Sequence, residues 1–395
     1  MASPGDIQIN NITLTGQNGT LALDAFFSDF KVYESTFVPN AMLDIKLFDV
    51  NDACGAMNIV GGELINMSFG APGGVFATYN FVVETIQDIG EVGTTKGKIY
   101  TIHAVSQETM QSKTNYVQKA YNTDIGSIVK DIHTNYLQSQ KPLNIEPTSG
   151  TQNILIPNHD PFEAIDMVRR RAVSQMNNSS TYLYFETWQG MNFTTMQGMQ
   201  ANGVVKTFTE SDTVGSSIFN DTYNTLISKE IVQLASATER ISYGTMNQQI
   251  STYNIRTRSY QTNNIVMPQS SYNTPMFISA YGQKYGRFSF IPVDTAARPF
   301  TGINTMTPPQ LAYAANMSQN QIKIRVYGDC TVKAGDMIGL IIPQIQNTTG
   351  LVQPDPQLSG NYLVTRLCRN CDISTQTPRY TESIECMSGQ VNQSS

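Results

Sequence analysis

Four short apolar segments occur twice in this chain, in the same order and at similar spacing. The first series comprises LDIKLFD from Leu43, GGELINMSF from Gly61, YNFVVETI from Tyr79 and KIYTIHAVS from Lys98. The second comprises IKIRVYGD from Ile322, AGDMIGLIIP from Ala334, GNYLVTRL from Gly360 and RYTESIECMS from Arg379. Alternation of apolar and polar residues indicates strands, and four repeats in register predict two similar β domains. The alternative is chance similarity among unrelated strands.

The region from about 107 to 203 has a different pattern and predicts a small α/β unit. In TDIGSIVKDIHTNYL, apolar residues recur at helical spacing from Ile125 to Leu137, and Thr123 or Asp124 can cap the helix. Segments 182–188 and 191–196 alternate around Gln189-Gly190, which predicts a β-hairpin. The Tyr/Asn/Gln-rich residues 241–307 contain few long apolar runs and predict extended strands and loops.

The stretch PNHDPFEAIDMVRRRAVS, residues 157–174, concentrates groups that are common in active sites. It contains His159, three acidic residues and three consecutive arginines. However, Asp160 at the N-cap, Pro161 at the first helical position and Glu163 two residues later form a strong helix-start signature. We therefore interpret Asp160, Pro161 and Glu163 as a structural helix cap and assign the stretch no catalytic residue.

Motifs of enzymes and cofactor-binding proteins are scarce. The chain has no G-x-S-x-G, no H-E-x-x-H and no Walker-type Gly-Lys-Ser/Thr, and its three histidines are far apart in sequence. A pair of catalytic carboxylates is set by the fold and stays open at this stage. Cys368 and Cys371 form a C-x-x-C without a second pair at zinc-finger spacing. Free thiols are the preferred interpretation, with zinc or redox chemistry as the alternative, and we predict no cofactor.

Composition limits the partners. Charged residues make up 14% of the chain, the net charge is −6, and no basic run exceeds residues 169–171. Specific nucleic-acid binding is therefore not expected. The sequence contains no 18-residue apolar stretch and no N-terminal signal pattern, so we expect synthesis in a cytosol and no membrane segment.

The pattern of hydrophobic and turn positions resembles the baseplate central hub proteins of contractile-tailed bacteriophages. The resemblance lies in IVKDIHTNYL, in IPNHDPFEAIDMVRRRAVS followed by TYLYFETWQGMNF, and in the C-terminal strand series. That series also resembles the hub part of type VI secretion spike proteins. The resemblance implies a mainly β fold with an α+β insertion: two similar β-barrel tube domains, a small α/β domain and an extended segment.

The resemblance also implies the domain boundaries. Tube domain 1 would span 1–106, and the α/β insertion 107–203. Tube domain 2 would be discontinuous, with residues 204–240 and 308–391, and residues 241–307 would form an extended cup segment. Because the secretion-spike relatives continue into a needle while this sequence stops at Ser395, we expect the spike to be a separate polypeptide.

The function implied is structural rather than enzymatic. A homotrimer with a pseudo-six-fold ring would join the hexameric tail tube to the trimeric central spike. The spike can carry lysozyme activity. Other baseplate proteins are further expected partners. Its expected location is the tail baseplate of a virion assembled in the host bacterial cytoplasm. Two alternatives remain: the hub of a phage-like injection or secretion particle, and a baseplate enzyme that degrades the cell wall.

Overall fold

The protein is analysed as a computed structural model, which describes residues 5–50, 53–92, 97–177, 179–210, 222–234, 236, 242, 247–266, 287–293, 310, 313–344, 354–373 and 379–389. The architecture is mainly β, with large antiparallel sheets and short helices, which confirms the predicted fold class. Within these ranges, no helix has the length and hydrophobicity to cross a bilayer.

The first hundred residues build one β unit. Its elements are β1 (Gln8–Gly16), β2 (Gly19–Ala22), β3 (Phe27–Ser35), β4 (Met42–Asp49), helix α1 (Ala53–Met57), β5 (Leu64–Gly70), β6 (Phe76–Val92) and β7 (Gly97–Ser106). Hydrogen bonds order the strands β3-β4-β7-β6-β5-β1-β2, with all neighbours antiparallel. The alternating residues Leu43, Ile45 and Leu47 are fully buried in the core of this unit.

Residues 107–201 form the α/β unit. In chain order it contains α2 (Gln107–Thr114), β8 (Val117–Thr123), α3 (Ile125–Asp131), a π-helical turn (Ile132–Tyr136), β9 (Leu143–Ile145), β10 (Gln152–His159), α4 (Pro161–Arg169), β11 (Tyr182–Thr187), β12 (Gly190–Thr195) and α5 (Met196–Ala201). The predicted hairpin is β11–β12, and β9 joins β12 in parallel. Apolar residues of α3 and α4, including Ile128 and Ile165, share one core.

The predicted helix from Ile125 is not one uniform α-helix. After Asp131 it widens, and the amide of Leu137 donates to the carbonyl of Ile132, five residues earlier, at 2.9 Å. The extra residue per turn keeps Ile132, His133 and Leu137 buried. The predicted cap is present, because the Asp124 carboxylate accepts from the Ser127 amide at 3.0 Å.

The remaining strands lie in two separate sheets. They are β13 (Val204–Thr209), β14 (Leu226–Gln233), β15 (Asn247–Asn254), β16 (Ser259–Val266), β17 (Arg287–Val293), β18 (Asn320–Tyr327), β19 (Met337–Ile341), β20 (Gly360–Asp372) and β21 (Tyr380–Ser388), with a 3-10 turn at Thr222–Asn224. Strands β16-β15-β17 form a sheet of their own within the expected extended segment. Residues 241, 243–246, 267–286 and 294–307 of that segment lie outside the described residues.

The strand order of the first unit recurs in the second. There, β14-β18-β21-β20-β19 matches β3-β4-β7-β6-β5. The register matches as well: Leu43 faces Ala104 across one pair, and Ile322 faces Cys386 across the equivalent pair. Both long strands bulge at the same place, between Val83 and Thr85 in β6 and between Val364 and Arg366 in β20. The one difference in direction is that β13 runs parallel to β19, whereas β1 is antiparallel to β5.

The two units are joined edge to edge. The C-terminal half of β20 pairs antiparallel with β3, from Arg366 opposite Ser35 to Asp372 opposite Asp29. The described strand pairs therefore run as one continuous sheet from β14 in the second unit to β2 in the first.

Candidate functional site

A buried ionic cluster lies where the two β units meet. Arg369 on β20 has no solvent exposure, and its Nη1 lies 3.1 Å from Glu34 Oε1 of β3. Its Nε lies 3.5 Å from Glu382 Oε1 of β21, which is 1% exposed. The guanidinium also donates to the Tyr79 hydroxyl at 2.6 Å and to the Val332 carbonyl at 2.7 Å. The charge is thus surrounded by protein groups from both units.

The carboxylate of Glu34 extends this cluster to the α/β unit. Its Oε1 accepts from the Tyr79 hydroxyl at 2.7 Å and from the Trp188 amide at 2.8 Å, and its Oε2 accepts from the Ala334 amide at 3.1 Å. Trp188 follows β11 at the hairpin turn, and its side chain packs against the core of the first unit. One buried side chain therefore links both β units and the α/β unit.

The electrostatics of this cluster favour a fixed arrangement. Burial raises the pKa of Glu382, and the neighbouring Arg369 opposes that rise. Burial tends to lower the pKa of Arg369, but the carboxylates of Glu34 and Glu382 hold it well above its ordinary value. Removal of either charge would leave the other uncompensated in a dry environment, which is costly.

A second ionic cluster, in which both carboxylates are buried and the Lys141 side chain is 21% exposed, attaches the α/β unit to the first β unit. The Lys141 ammonium lies 2.6 Å from Glu108 Oε2 and 2.5 Å from Glu186 Oε1. The other oxygen of Glu186 accepts from the Ala41 amide of the first unit at 3.0 Å. Burial tends to raise the pKa of Glu108, yet Lys141 lowers it below its ordinary value, whereas burial raises the pKa of Glu186. This cluster too acts as a structural joint.

The opposite face of the joined strands carries a groove. Its lining around the β3–β20 pair includes four basic residues: Lys31, Lys323, Arg325 and Arg366. Glu385 offsets part of this charge, because its carboxylate lies 3.1 Å from Arg366 and 3.8 Å from Lys323.

The structure places the three residues of the expected cap at the start of α4. Asp160 Oδ1 accepts from the Glu163 amide at 2.8 Å, and Pro161 is the first helical residue. Asp160 also binds Lys113 at 2.9 Å and accepts from the Ser112 hydroxyl at 3.3 Å. Burial tends to raise the pKa of Asp160, but the Glu163 amide and Lys113 lower it.

His159 lies 3.4 Å from the exposed Glu163 carboxylate. All of these contacts serve the helix and its attachment to α2.

The three histidines occupy separate positions. His103 on β7 contacts Asp44 at 2.5 Å, and His159 ends β10. His133 is buried in the π-helical turn, 3.3 Å from the Tyr184 hydroxyl and 3.1 Å from the Lys141 carbonyl. Burial lowers the pKa of His133, which favours the neutral ring.

The C-x-x-C residues lie on opposite faces of β20. Cys371 is buried in the core of the first unit, whereas Cys368 lines the groove along the β3–β20 pair. Burial raises the pKa of Cys368 to about 11 and that of Cys371 to about 12, so both are neutral thiols near pH 7. Among the described residues, no group of three or more His, Cys, Asp or Glu side chains is arranged to hold a metal ion.

Sequence patterns did not identify the residues at the junction. Arg369 lies inside the C-x-x-C motif, which directed attention to the thiols, and Glu34 and Glu382 had no motif around them. One signal was available: Arg369 and Glu382 interrupt inward-facing, otherwise apolar positions of predicted strands. Buried charges in such positions need partners, but the sequence did not indicate which ones.

Several solved structures resemble this chain in fold. The chain resembles a tail protein from Neisseria meningitidis MC58 with a TM-score of 0.57 and 8% identity, over 95% of this chain and 96% of that one. It resembles the 43 kDa tail protein of prophage MuSo2 from Shewanella oneidensis with a TM-score of 0.57 and 10% identity, over 96% and 98%. The chain shares its fold with phage tail proteins.

A third match spans nearly the whole chain. Prophage tail protein gp18 from Listeria monocytogenes EGD-e gives a TM-score of 0.50 and 10% identity, over 98% of this chain and 96% of that one. No protein-family model and no curated protein sequence matches this chain. The similarity is therefore one of fold, over almost the full length, with little sequence identity.

Proposed function

We propose that this protein is a structural, non-enzymatic hub of a phage tail baseplate. The observation that supports this proposal is the pair of equivalent β units joined edge to edge within one chain. Three such chains present six nearly equivalent units, so a homotrimer can match a three-fold partner on one side and a six-fold partner on the other. Its partners are the trimeric central spike, the hexameric tail tube and other baseplate proteins.

The domains would divide this task. Residues 1–106 form tube domain 1, and residues 204–240 with 308–391 form tube domain 2; together they build the ring that receives the tube. Residues 107–203 and 241–307 build the cup that holds the spike. The matched strand order of the two units and the fold shared with phage tail proteins support this division. The protein would be located in the tail of a virion.

The two ionic clusters support a mechanical role. Arg369 with Glu34 fixes one β unit to the other, and Lys141 with Glu186 fixes the α/β unit to the first β unit. Disruption of a buried ion pair leaves an unpaired charge and is strongly unfavourable. Joints of this kind transmit force between units without sliding.

Solution mass and particle images test the proposal. The purified chain is expected to form particles of three times the 43.7 kDa chain mass in light scattering, with three-fold rings in negative-stain images. A monomer without rings at high concentration would overturn the proposal. Hydrolysis of peptidoglycan by the purified chain, abolished by substitution of one carboxylate, would instead support a cell-wall-degrading enzyme.

A further inference from the structure

The two β units are joined by one strand pair, and the strands equivalent to that pair do not pair with each other among the described residues. Within the chain, β3 of the first unit pairs with the C-terminal half of β20 in the second. The equivalent elements are β14, which corresponds to β3, and the C-terminal half of β6, which corresponds to that of β20. In the described parts of the chain, β14 pairs only with β18, and residues 85–92 of β6 pair only with β7.

Side-chain exposure at matched positions shows that no neighbouring strand in the described part of the chain covers these two edges. Val32 on β3 faces Leu43, and Ile231 on β14 faces Ile322, the equivalent of Leu43. Val32 is 0% exposed, whereas Ile231 is 42% exposed. The same holds on the other strand, where Leu367 of β20 is 1% exposed and its counterpart Ile86 on β6 is only partly buried.

The edge of β14 is unusually apolar for a free strand. Ile227, Ile231, Val232 and Leu234 are all more than a third exposed. Its lysine, Lys229, is bonded to Glu210, which removes part of the charge that protects strand edges from pairing. An exposed apolar strand edge that pairs with no second strand among the described residues is suited to addition of another strand.

We infer that β14 of one copy pairs antiparallel with residues 85–92 of β6 in the next copy of this chain. The occupant is a second copy because the two edges belong to the strands equivalent to the pair that the chain already makes internally. They differ from that pair by two further register shifts, between Ile231 and Gln233 and between Gln87 and Gly90. Within one chain, six strands separate β14 from β6 in the sheet order. The inference rests on the proposed ring and names the surface that closes it.

The internal register predicts the register between copies. Cys368 faces Tyr33 and Leu367 faces Glu34 in the β20–β3 pair. The counterparts of these residues place Gln87 of one copy opposite Gln233 of the next, and Ile86 opposite Leu234. Leu234 thus replaces the buried Glu34, so the contact between copies is apolar where the internal junction is ionic. Such a head-to-tail contact extends until the ring closes.

Cysteine pairs test this register directly. Facing residues of an antiparallel pair have Cα atoms about 4.5–5.5 Å apart, within reach of a disulfide. A Gln87→Cys and Gln233→Cys double variant is expected to cross-link between copies under mild oxidation and to run as dimers and trimers on a non-reducing gel. Mixed single variants should give only the heterodimer. A Gln87→Cys and Ser228→Cys pair, out of register, is the matched control and should give little product.

A charge on the edge supplies a second test. Ile231→Lys is expected to raise the concentration for half-assembly by roughly tenfold or more while the circular dichroism spectrum is retained. The control Leu155→Lys alters a residue that is 66% exposed on β10, away from both edges, and should leave assembly unchanged.

The outcomes separate this inference from the proposed function. One outcome is that the double cysteine variant forms trimers without cross-links and the Ile231→Lys variant assembles normally. This outcome would overturn the strand pairing but leave the hub proposal intact. A wild-type chain that stays monomeric would overturn both.

Discussion

Arg369 and Glu34, which are 335 positions apart in sequence, form a fully buried ion pair at 3.1 Å between Nη1 and Oε1. Glu34 comes from β3 of the first unit and Arg369 from β20 of the second. Their contact therefore specifies how the duplicated units are joined.

The pair makes a strong prediction about stability. Arg369→Met leaves Glu34 and Glu382 buried without a cation, so the free energy of unfolding should fall by about 3–5 kcal/mol. Urea denaturation followed by circular dichroism measures the change. The matched control is Arg366→Met, three residues earlier on the same strand.

Arg366 pairs with Glu385 at 3.1 Å, but its side chain is 62% exposed. Loss of a solvent-exposed pair costs about 0–1 kcal/mol. Equal effects of Arg366→Met and Arg369→Met would show that the buried cluster has no special role in joining the units.

Local patterns predicted much of this fold because they depend on neighbours in sequence. Alternation located the strands of both units, and Asp160 before Pro161 located the start of α4. The segments that recur in the sequence occupy equivalent places in the structure, since Leu43 of β4 and Ile322 of β18 lie at matching positions.

The junction could not be predicted in the same way. The pairing of β3 with β20 depends on how two edges meet in space, and alternation does not identify which edges meet. The π-helical turn was missed for a related reason: the apolar stripe from Ile125 to Leu137 fits an α-helix, and only packing in the unit core reveals the extra residue.

The cap of α4 gives a second prediction. Asp160→Ala removes the acceptor for the Glu163 amide and should lower the free energy of unfolding by about 1 kcal/mol. Asp160→Asn keeps an acceptor at the cap and should cost less. Trimer assembly at permissive temperature is expected for both. Full stability of Asp160→Ala with loss of function would instead favour a catalytic role for this stretch.

Glu146 predicts a pH-dependent contribution in the α/β unit. Burial tends to raise its pKa, but bonds from the Ser174 hydroxyl at 2.5 Å, the Thr195 amide at 2.7 Å and other donors hold the pKa below its ordinary value. Because the pKa is lower in the folded state, the stabilisation is present above the unfolded pKa of about 4.3 and is lost as pH falls through the folded pKa.

Glu146→Gln should therefore cost about 1.5–3 kcal/mol at pH 7, and the difference from the wild type should shrink below about pH 4. Urea denaturation at pH 7, 5 and 3.5 measures it. The control Glu163→Gln changes an exposed carboxylate and should alter the unfolding free energy at pH 7 by less than about 0.5 kcal/mol. A constant difference at all three pH values would contradict the assignment to Glu146.

The thiols predict slow labelling of the native protein. Cys54, Cys330, Cys371 and Cys386 are buried and Cys368 is half-buried. Burial raises the pKa of Cys330 and Cys368 to about 11, so few thiolates exist at pH 7.5. Iodoacetamide should label Cys368 first, at a rate that rises about tenfold per pH unit up to pH 9.5, because the thiolate is the reactive form.

Intact mass and peptide mapping distinguish this outcome from the alternatives for Cys368 and Cys371. Denatured protein should take up five labels, one for each free cysteine. A structural zinc on the C-x-x-C would protect both thiols until a chelator is added and would appear as one metal per chain in elemental analysis. A redox pair would label rapidly at neutral pH, because such pairs contain a thiol of lowered pKa. Cys368 and Cys371 lie on opposite faces of β20. We therefore expect slow labelling that does not depend on a chelator and that reaches Cys368 first.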